Sequence, residues 1–197
     1  MFELLQQGGW IVWVILVSGL LALVVFLERV LHLHRARIKS EDFLMGICNN
    51  LRHGNIQEAT TLCDETPGPV AYVIKTAIVH RHADKEGIRS AIENAGRTEI
   101  SRMERRLVVI ATVAQTAPLF GLLGTVLGLI KSLMIMKQNA PLVQPLDVVG
   151  GLMQALVTTA AGLAVAVPCY VAFSFLVGNV EKIVLDMERA ASDILGF

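Results

Sequence analysis

Two long apolar stretches of this sequence, Leu107 to Ile130 and Val148 to Val180, contain no Asp, Glu, Lys, Arg or His. Proton relays and ion pathways inside a membrane rest on such groups, so neither stretch offers a titrating route of its own. Net charge is missing as well. The 17 Lys plus Arg residues balance 17 Asp plus Glu, which leaves no basic excess of the kind that nucleic-acid binding needs. Cysteine is scarce: Cys48, Cys63 and Cys169 are widely spaced, with no C-x-x-C pair, and are read as free thiols rather than a zinc or redox centre. His32 with His34, and His80 with His82, stand two apart, which on a helix turns them about 200° from one another and unsuits each pair for one metal. No metal site is expected. Also absent are H-E-x-x-H, G-x-S-x-G, a phosphate-binding glycine loop between strand and helix, and an intramembrane acid pair. The chain is therefore read as not an enzyme, with no catalytic residue and no cofactor. It shows no alternating strand pattern and no repeat of solenoid length.

What the chain has in excess is apolar surface: 54% of its 197 residues are hydrophobic and only 17% charged, with a mean hydropathy of +0.59. That balance belongs to a membrane protein. The first run, WIVWVILVSGLLALVVFL (10–27), approaches the ~20 residues a bilayer core requires and carries two tryptophans at its amino end as interface anchors. The residues before it include no Lys or Arg, and no small-x-small cleavage site follows, so it is expected to remain as a mature first span. The second span is placed at 107–130 and the third at 148–177, joined by a loop at 131–147 that contains Pro141 and Pro145. Residues 178–197 carry Glu181, Lys182, Asp186, Glu188 and Arg189 and are expected to continue the third span as a helix beyond the hydrocarbon.

Positive charge orients the spans. Arg29, Arg35, Arg37 and Lys39 follow the first, and Arg102, Arg105 and Arg106 precede the second, whereas residues 1–9 have none and the 131–147 loop has Lys131 and Lys137. Lys and Arg near span ends are retained on the cytoplasmic side, so the amino terminus is expected outside and residues 28–106 and the carboxyl terminus inside. Within 28–106, Phe43, Ile47 and Leu51 fall near helical spacing, Gly54-Asn55 breaks the pattern, a second helical stretch reaches about Cys63, and TPGP (66–69) reads as a turn. From Asp84 to Arg106, Ile88, Ile92, Ala95, Ile100, Met103 and Leu107 mark a long amphipathic helix leading into the second span. The expected fold is all-α: three membrane helices, with the second and third extending into a cytoplasmic helical bundle.

Small or special residues form a stripe in each of the last two spans. In the second they are Ala111, Ala114, Pro118, Gly121, Thr125 and Gly128; in the third Gly151, Ala155, Thr159, Gly162, Ala166 and Cys169, with Thr158 beside the stripe. Steps of three and four keep each set on one helix face. Two readings stand. Small residues let membrane helices pack closely, and a threonine can hydrogen-bond its own or a neighbouring helix. Alternatively the stripes of several subunits face a shared cavity in which Thr125, Thr159, Thr158 and Gln154 are the polar groups. Any proton carried there needs a carboxylate from a second protein.

TAPLFGLLGTVLGLI (116–130) resembles the APLLGLLGTVxGMI signature of the ExbB/TolQ/MotA proton-channel family, and QALVTTAAGLAVAVP (154–168) resembles that family's EALIATAIGLxVAIP. The likeness extends to the three-span layout and to MERRL (103–107) before the second span, and is strongest toward ExbB. It implies a bacterial inner-membrane homo-oligomer, a pentamer, whose second and third helices line a central pore. It also implies a single-span ExbD- or TolR-like partner that supplies a membrane aspartate, and a TonB- or TolA-like protein that receives the work. TonB-dependent outer-membrane transport is the first expectation and a TolQ-like envelope role the second; a non-conducting scaffold is the alternative from another class. Carried over by motif, Thr125 and Thr159 match the family's pore threonines, and Pro118 and Pro168 its helix-shaping prolines. Ala114, Gly121, Gly128, Ala155 and Gly162 are assigned to packing. Gln154 stands where the family motif has glutamate, which leaves the partner's aspartate as the titrating group.

Overall fold

The computed structural model describes residues 9–37, 43, 46–47, 49–50, 55–66, 68–81, 83–139 and 144–195. Its helices in chain order are α1 (Gly9–Arg37), α2 (Ile56–Glu65), α3 (Pro69–Val79), α4 (Lys85–Asn139) and α5 (Pro145–Leu195). The amphipathic helix and the second span expected from the sequence are one helix of 55 residues, and the third span with its charged extension is one of 51. Three helices, α1, α4 and α5, are long and apolar enough to cross a membrane. The loop expected at 131–147 is shorter than its sequence suggests, because α4 runs on through KSLMIMKQN to Asn139 and α5 starts at Pro145. Nothing in that stretch of α4 breaks a helix, and a proline is well placed in a first helical turn. Pro118 and Pro168 both lie inside their helices without ending them. In a membrane, neighbouring helices and local adjustment absorb the lost N–H.

The molecule divides into two compact units. One contains residues 1–27 and 108–174; the other contains 28–107 and 175–197. In the first, α4 and α5 pack antiparallel with their backbones nearly touching. A Cβ added at Gly128 would lie 2.5 Å from the Gly151 carbonyl oxygen, one at Gly162 would lie 2.7 Å from that of Ala117, and one at Gly121 would lie 3.1 Å from that of Thr158. Ser132 closes the loop end by donating from Oγ to the Val148 carbonyl at 3.0 Å. Helix α1 runs parallel to α5: Gly9 stands against Gln154, and ten residues on Gly19 stands against Val165. Gly9 has φ +70°, a left-handed conformation open to glycine at little cost, and it begins α1.

The second unit uses larger side chains. Ile92, Met103 and Leu107 are buried on α4, and Leu176, Ile183 and Met187 on α5. Arg29, only 5% exposed, donates from Nη2 to the carbonyls of Arg102 and Met103 at 3.1 and 3.2 Å, while Glu28 pairs with Arg106 and Glu99 with Arg102. The short helices α2 and α3 pack together through Ala59 and Cys63 of one and the apolar face of the other. Asn55 begins α2, its Nδ2 donating to Glu58, and Pro69 opens α3. Thr66 and Gly68 form the bend between them, and Pro67 of the expected TPGP turn lies outside the described residues. Phe43 and Ile47 are helical and buried, whereas Leu51 and Cys48 also lie outside them.

Candidate functional site

Buried residues recur on α4 in steps of three and four in each unit: Ile92, Ala95, Glu99, Met103 and Leu107 in one, and a seam of Ile110, Ala114, Ala117, Gly121, Gly124, Gly128 and Ser132 in the other. That seam differs by one residue at three places from the stripe read in the sequence. Ile110, Ala117 and Gly124 lie in the contact, while Ala111, Pro118 and Thr125 stand on its edge, half-buried. On α5 the seam is Gly151, Ala155, Thr158, Gly162, Ala166 and Cys169. Thr158, expected beside the stripe and on a cavity wall, is instead within the seam and fully buried. Its hydroxyl donates to the carbonyls of Gln154 and Ala155 at 3.0 and 2.9 Å, and its side chain fills the space that the missing Gly124 side chain leaves. Thr159, expected in the stripe, lies at its edge.

Thr125 follows Gly124 as Thr159 follows Thr158. Because α4 and α5 are antiparallel, one step forward from the seam turns to the same side on both helices, so the two threonines share an edge. Thr125 donates its hydroxyl to the Leu122 carbonyl, and Thr159 donates to that of Ala155 at 3.1 Å, with a longer 3.5 Å approach to Gly121 across the seam. Both protons are thereby directed at backbone, and what each hydroxyl turns outward is its accepting lone pairs.

Gln154 is elsewhere. At about 100° per residue it lies roughly 140° around α5 from Thr159, on the flank that holds α1, with Nε2 3.2 Å from the position a Cβ would take at Gly9. The structure thus brings Thr125 and Thr159 together, encloses Thr158, and sets Gln154 against α1. Ala114, Gly121, Gly128, Ala155 and Gly162 are all in the buried contact; Pro168 is exposed.

Two polar side chains that a search for small residues passes over also stand on the threonine edge. Gln115 follows the seam residue Ala114, and Tyr170 follows Cys169. Both are exposed, and neither has a hydrogen-bond partner among the described residues. Gln115 is the single amide between Leu107 and Ile130, a signal present in the sequence. Among the described residues no group of three His, Cys, Asp or Glu is arranged to hold a metal, and His80 turns Nδ1 to the Thr76 carbonyl at 2.9 Å. The side chains of His32, His34 and His82 lie outside the described residues. Buried Cys63 has its pKa pushed from 9.0 up to about 11, by burial first and then by Asp64, with Lys75 opposing.

Known proteins are similar to this chain in sequence. Residues 65–189 match the MotA/TolQ/ExbB proton channel family. A putative biopolymer transport protein ExbB homolog of Methanothermobacter thermautotrophicus is 27% identical over 180 residues, covering 91% of this chain and 63% of the relative. The biopolymer transport protein ExbB of Aquifex aeolicus is 43% identical over 86 residues, 44% of this chain and 57% of that one. That of Neisseria gonorrhoeae is 33% identical over 103 residues, 52% and 46% respectively. The chain thus spans less than two thirds of the length of these relatives. With the family match reaching across α3, α4 and most of α5, including both motifs and the paired threonines, this chain belongs to the MotA/TolQ/ExbB proton channel family.

Proposed function

We propose that this protein is the ExbB-like subunit of a proton-driven complex in the bacterial inner membrane. It works with a single-span, ExbD-like partner and serves TonB-dependent outer-membrane transport. The observation that carries the reading is the edge shared by Thr125 and Thr159 in a pair of spans without one charged residue. The titrating group then comes from the partner, and this chain supplies the wall. Copies of the chain form a ring, five in the family pattern, with the α4–α5 threonine edge inward and α1, packed on the opposite flank of α5, outward. The amino terminus is periplasmic and the carboxyl terminus cytoplasmic, following the positive charge around Arg29–Lys39 and Arg102–Arg106.

The geometry of the hydroxyls gives the wall a preference. Their protons are committed to helix carbonyls, so the wall accepts hydrogen bonds and has few to give. A protonated carboxyl can donate to such an oxygen, whereas a carboxylate finds no donor there and bears the full cost of desolvation. The partner's acid therefore passes the threonines neutral, carrying its proton, and ionises where water can receive it. Gln154 has no titrating part in this reading and anchors the start of α1. A TolQ-like role is the second reading, with TolR- and TolA-like proteins as the partners.

The test is proton flux in liposomes that hold the chain with its partner under a pH gradient. Thr125→Val and Thr159→Val, in complexes that still assemble, should each lower flux about tenfold, the scale of one lost hydrogen bond, and Thr→Ser at either site should retain most of it. The chain alone should conduct none. Full flux in both valine variants, or rapid flux without the partner, would sink the proposal and favour a passive scaffold.

A further inference from the structure

Besides the threonine pair, the α4–α5 edge that faces away from α1 carries Gln115 and Tyr170, with Ser174 one turn beyond Tyr170. With Gly121 opposite Thr159 and Ala117 opposite Gly162, the rise of about 1.5 Å per residue sets their order along the axis. Thr125 is followed by Thr159 about 6 Å on, by Gln115 about 9 Å further, and by Tyr170 about 7 Å beyond that. Gln115 is exposed and Tyr170 is 64% exposed. Neither has a partner among the described residues, although the hydroxyls of Thr112 and Thr116 nearby are both satisfied by their own helix. The residues flanking them on the same edge, Leu122, Leu156, Leu163 and Val167, are apolar. An amide and a phenol left open to hydrocarbon are costly, and two at one end of that edge, beyond the threonines, have a common explanation if that end is wet.

We infer that Gln115 and Tyr170 form the release end of the proton route, holding the water that takes the proton from the partner's carboxyl after it has passed Thr125 and Thr159. The inference rests on the proposed function and adds to it two residues and a direction. The step balances simply: the O–H bond of the carboxylic acid breaks, an O–H bond forms on water, and the hydronium leaves by way of the hydrated edge. Gln115 both accepts and donates and Tyr170 does the same through its hydroxyl, so they orient water by hydrogen bonds. They are positioning residues. The occupant of this edge is water beside the partner helix. A dry contact with a second copy of the chain, or lipid, is what the experiment would otherwise reveal.

Thiol accessibility tests wetness without reference to activity. In the full complex with its partner, and with Cys48, Cys63 and Cys169 replaced by alanine, Gln115→Cys and Tyr170→Cys should react with a membrane-impermeant thiosulfonate reagent. The rate should be at least about tenfold above that of Val171→Cys. Val171 is equally exposed at 64% but lies about 100° further around α5, away from the seam. Proton flux supplies the second arm: Gln115→Leu should lower it about tenfold, on the scale of one lost hydrogen bond, and Tyr170→Phe by less. Gln115→Asn, which keeps the amide, should restore part of the loss. Failure of the Gln115→Cys and Tyr170→Cys variants to label above the Val171→Cys control, or unaltered flux in Gln115→Leu, overturns the inference. If Thr125→Val still lowers flux in that case, the proposed function survives it; if neither variant does, both fall.

Discussion

The two units bury different side chains on α4: Ile92, Met103 and Leu107 in one, and Ala117, Gly121, Gly124 and Gly128 in the other. The helical period does not change along the way. In the unit that holds residues 28–107 and 175–197, which the proposed topology sets in water, burying large apolar side chains stabilises the contact. Arg29, Glu28 and Arg106 complete it with polar bonds. In the unit that holds 108–174, which the same topology sets in the bilayer, hydrocarbon outside is as apolar as the interior, and burial of a leucine gains little. Close backbone approach and dispersion take its place. Large side chains there are accordingly turned outward: Leu119, Leu123 and Val126 on α4, and Met153 and Val171 on α5, are all exposed.

The sharpest way to break this contrast is to exchange the two kinds of substitution. Removing side-chain volume should hurt most in the unit packed through large side chains. Ile183→Ala, at a site 4% exposed, should cost about 2–5 kcal/mol in a denaturant or thermal titration in detergent. A cost under about 0.5 kcal/mol would mean that large apolar contacts do not hold that unit. Adding volume should hurt the membrane unit. Gly151→Ala places a methyl group against the Gly128 carbonyl and Ser132 Oγ and should cost about 1–3 kcal/mol, with a matching fall in Tm. Its neighbour Gly150 has nothing within 4 Å of an added Cβ, so Gly150→Ala should be silent or slightly stabilising. Equal effects at 150 and 151 would refute the backbone-contact account.

The smallest effect is chemical. Cys63, buried between α2 and α3, keeps its proton until about pH 11 against an ordinary 9.0. Below pH 9 the thiol is neutral in the folded and the unfolded chain alike and stability is unaffected; between 9 and about 11 the unfolded chain releases the proton first, so stability falls as pH rises. In a chain with Cys48 and Cys169 replaced by alanine, alkylation by iodoacetamide should half-saturate near pH 11 when folded and near 9 in denaturant. A folded midpoint near 9 would show that the thiol is solvated.

Much of the fold is legible without coordinates. The three spans, the long helix leading into the second, the absent acids and the two motifs are written in composition and in a period of three and four. The candidate site is only half legible. The sequence marks Thr125, Thr159, Thr158 and Gln154 alike as polar groups of one wall; the structure sets the first two on one edge, encloses Thr158 in the seam and stands Gln154 against α1. Gln115 and Tyr170 escape a search for small residues because what distinguishes them is an unpartnered polar group, and that is visible only once the helices are packed.

By itself, the sequence determined an all-helical membrane chain with no Asp, Glu, Lys, Arg or His in its last two apolar stretches, since hydropathy, charge and helical period are local properties. Tertiary structure alone decided which residue of each adjacent pair faces inward: Gly124 or Thr125, Thr158 or Thr159. A period of 3.6 residues permits two neighbouring stripes in any run rich in small residues, and a shift of one changes neither the steps nor the composition. Only the opposing backbone breaks the tie. Gly124 yields its space to Thr158, Gly128 and Gly151 bring two backbones together, and α1 covers one flank, leaving Thr125 and Thr159 on the other.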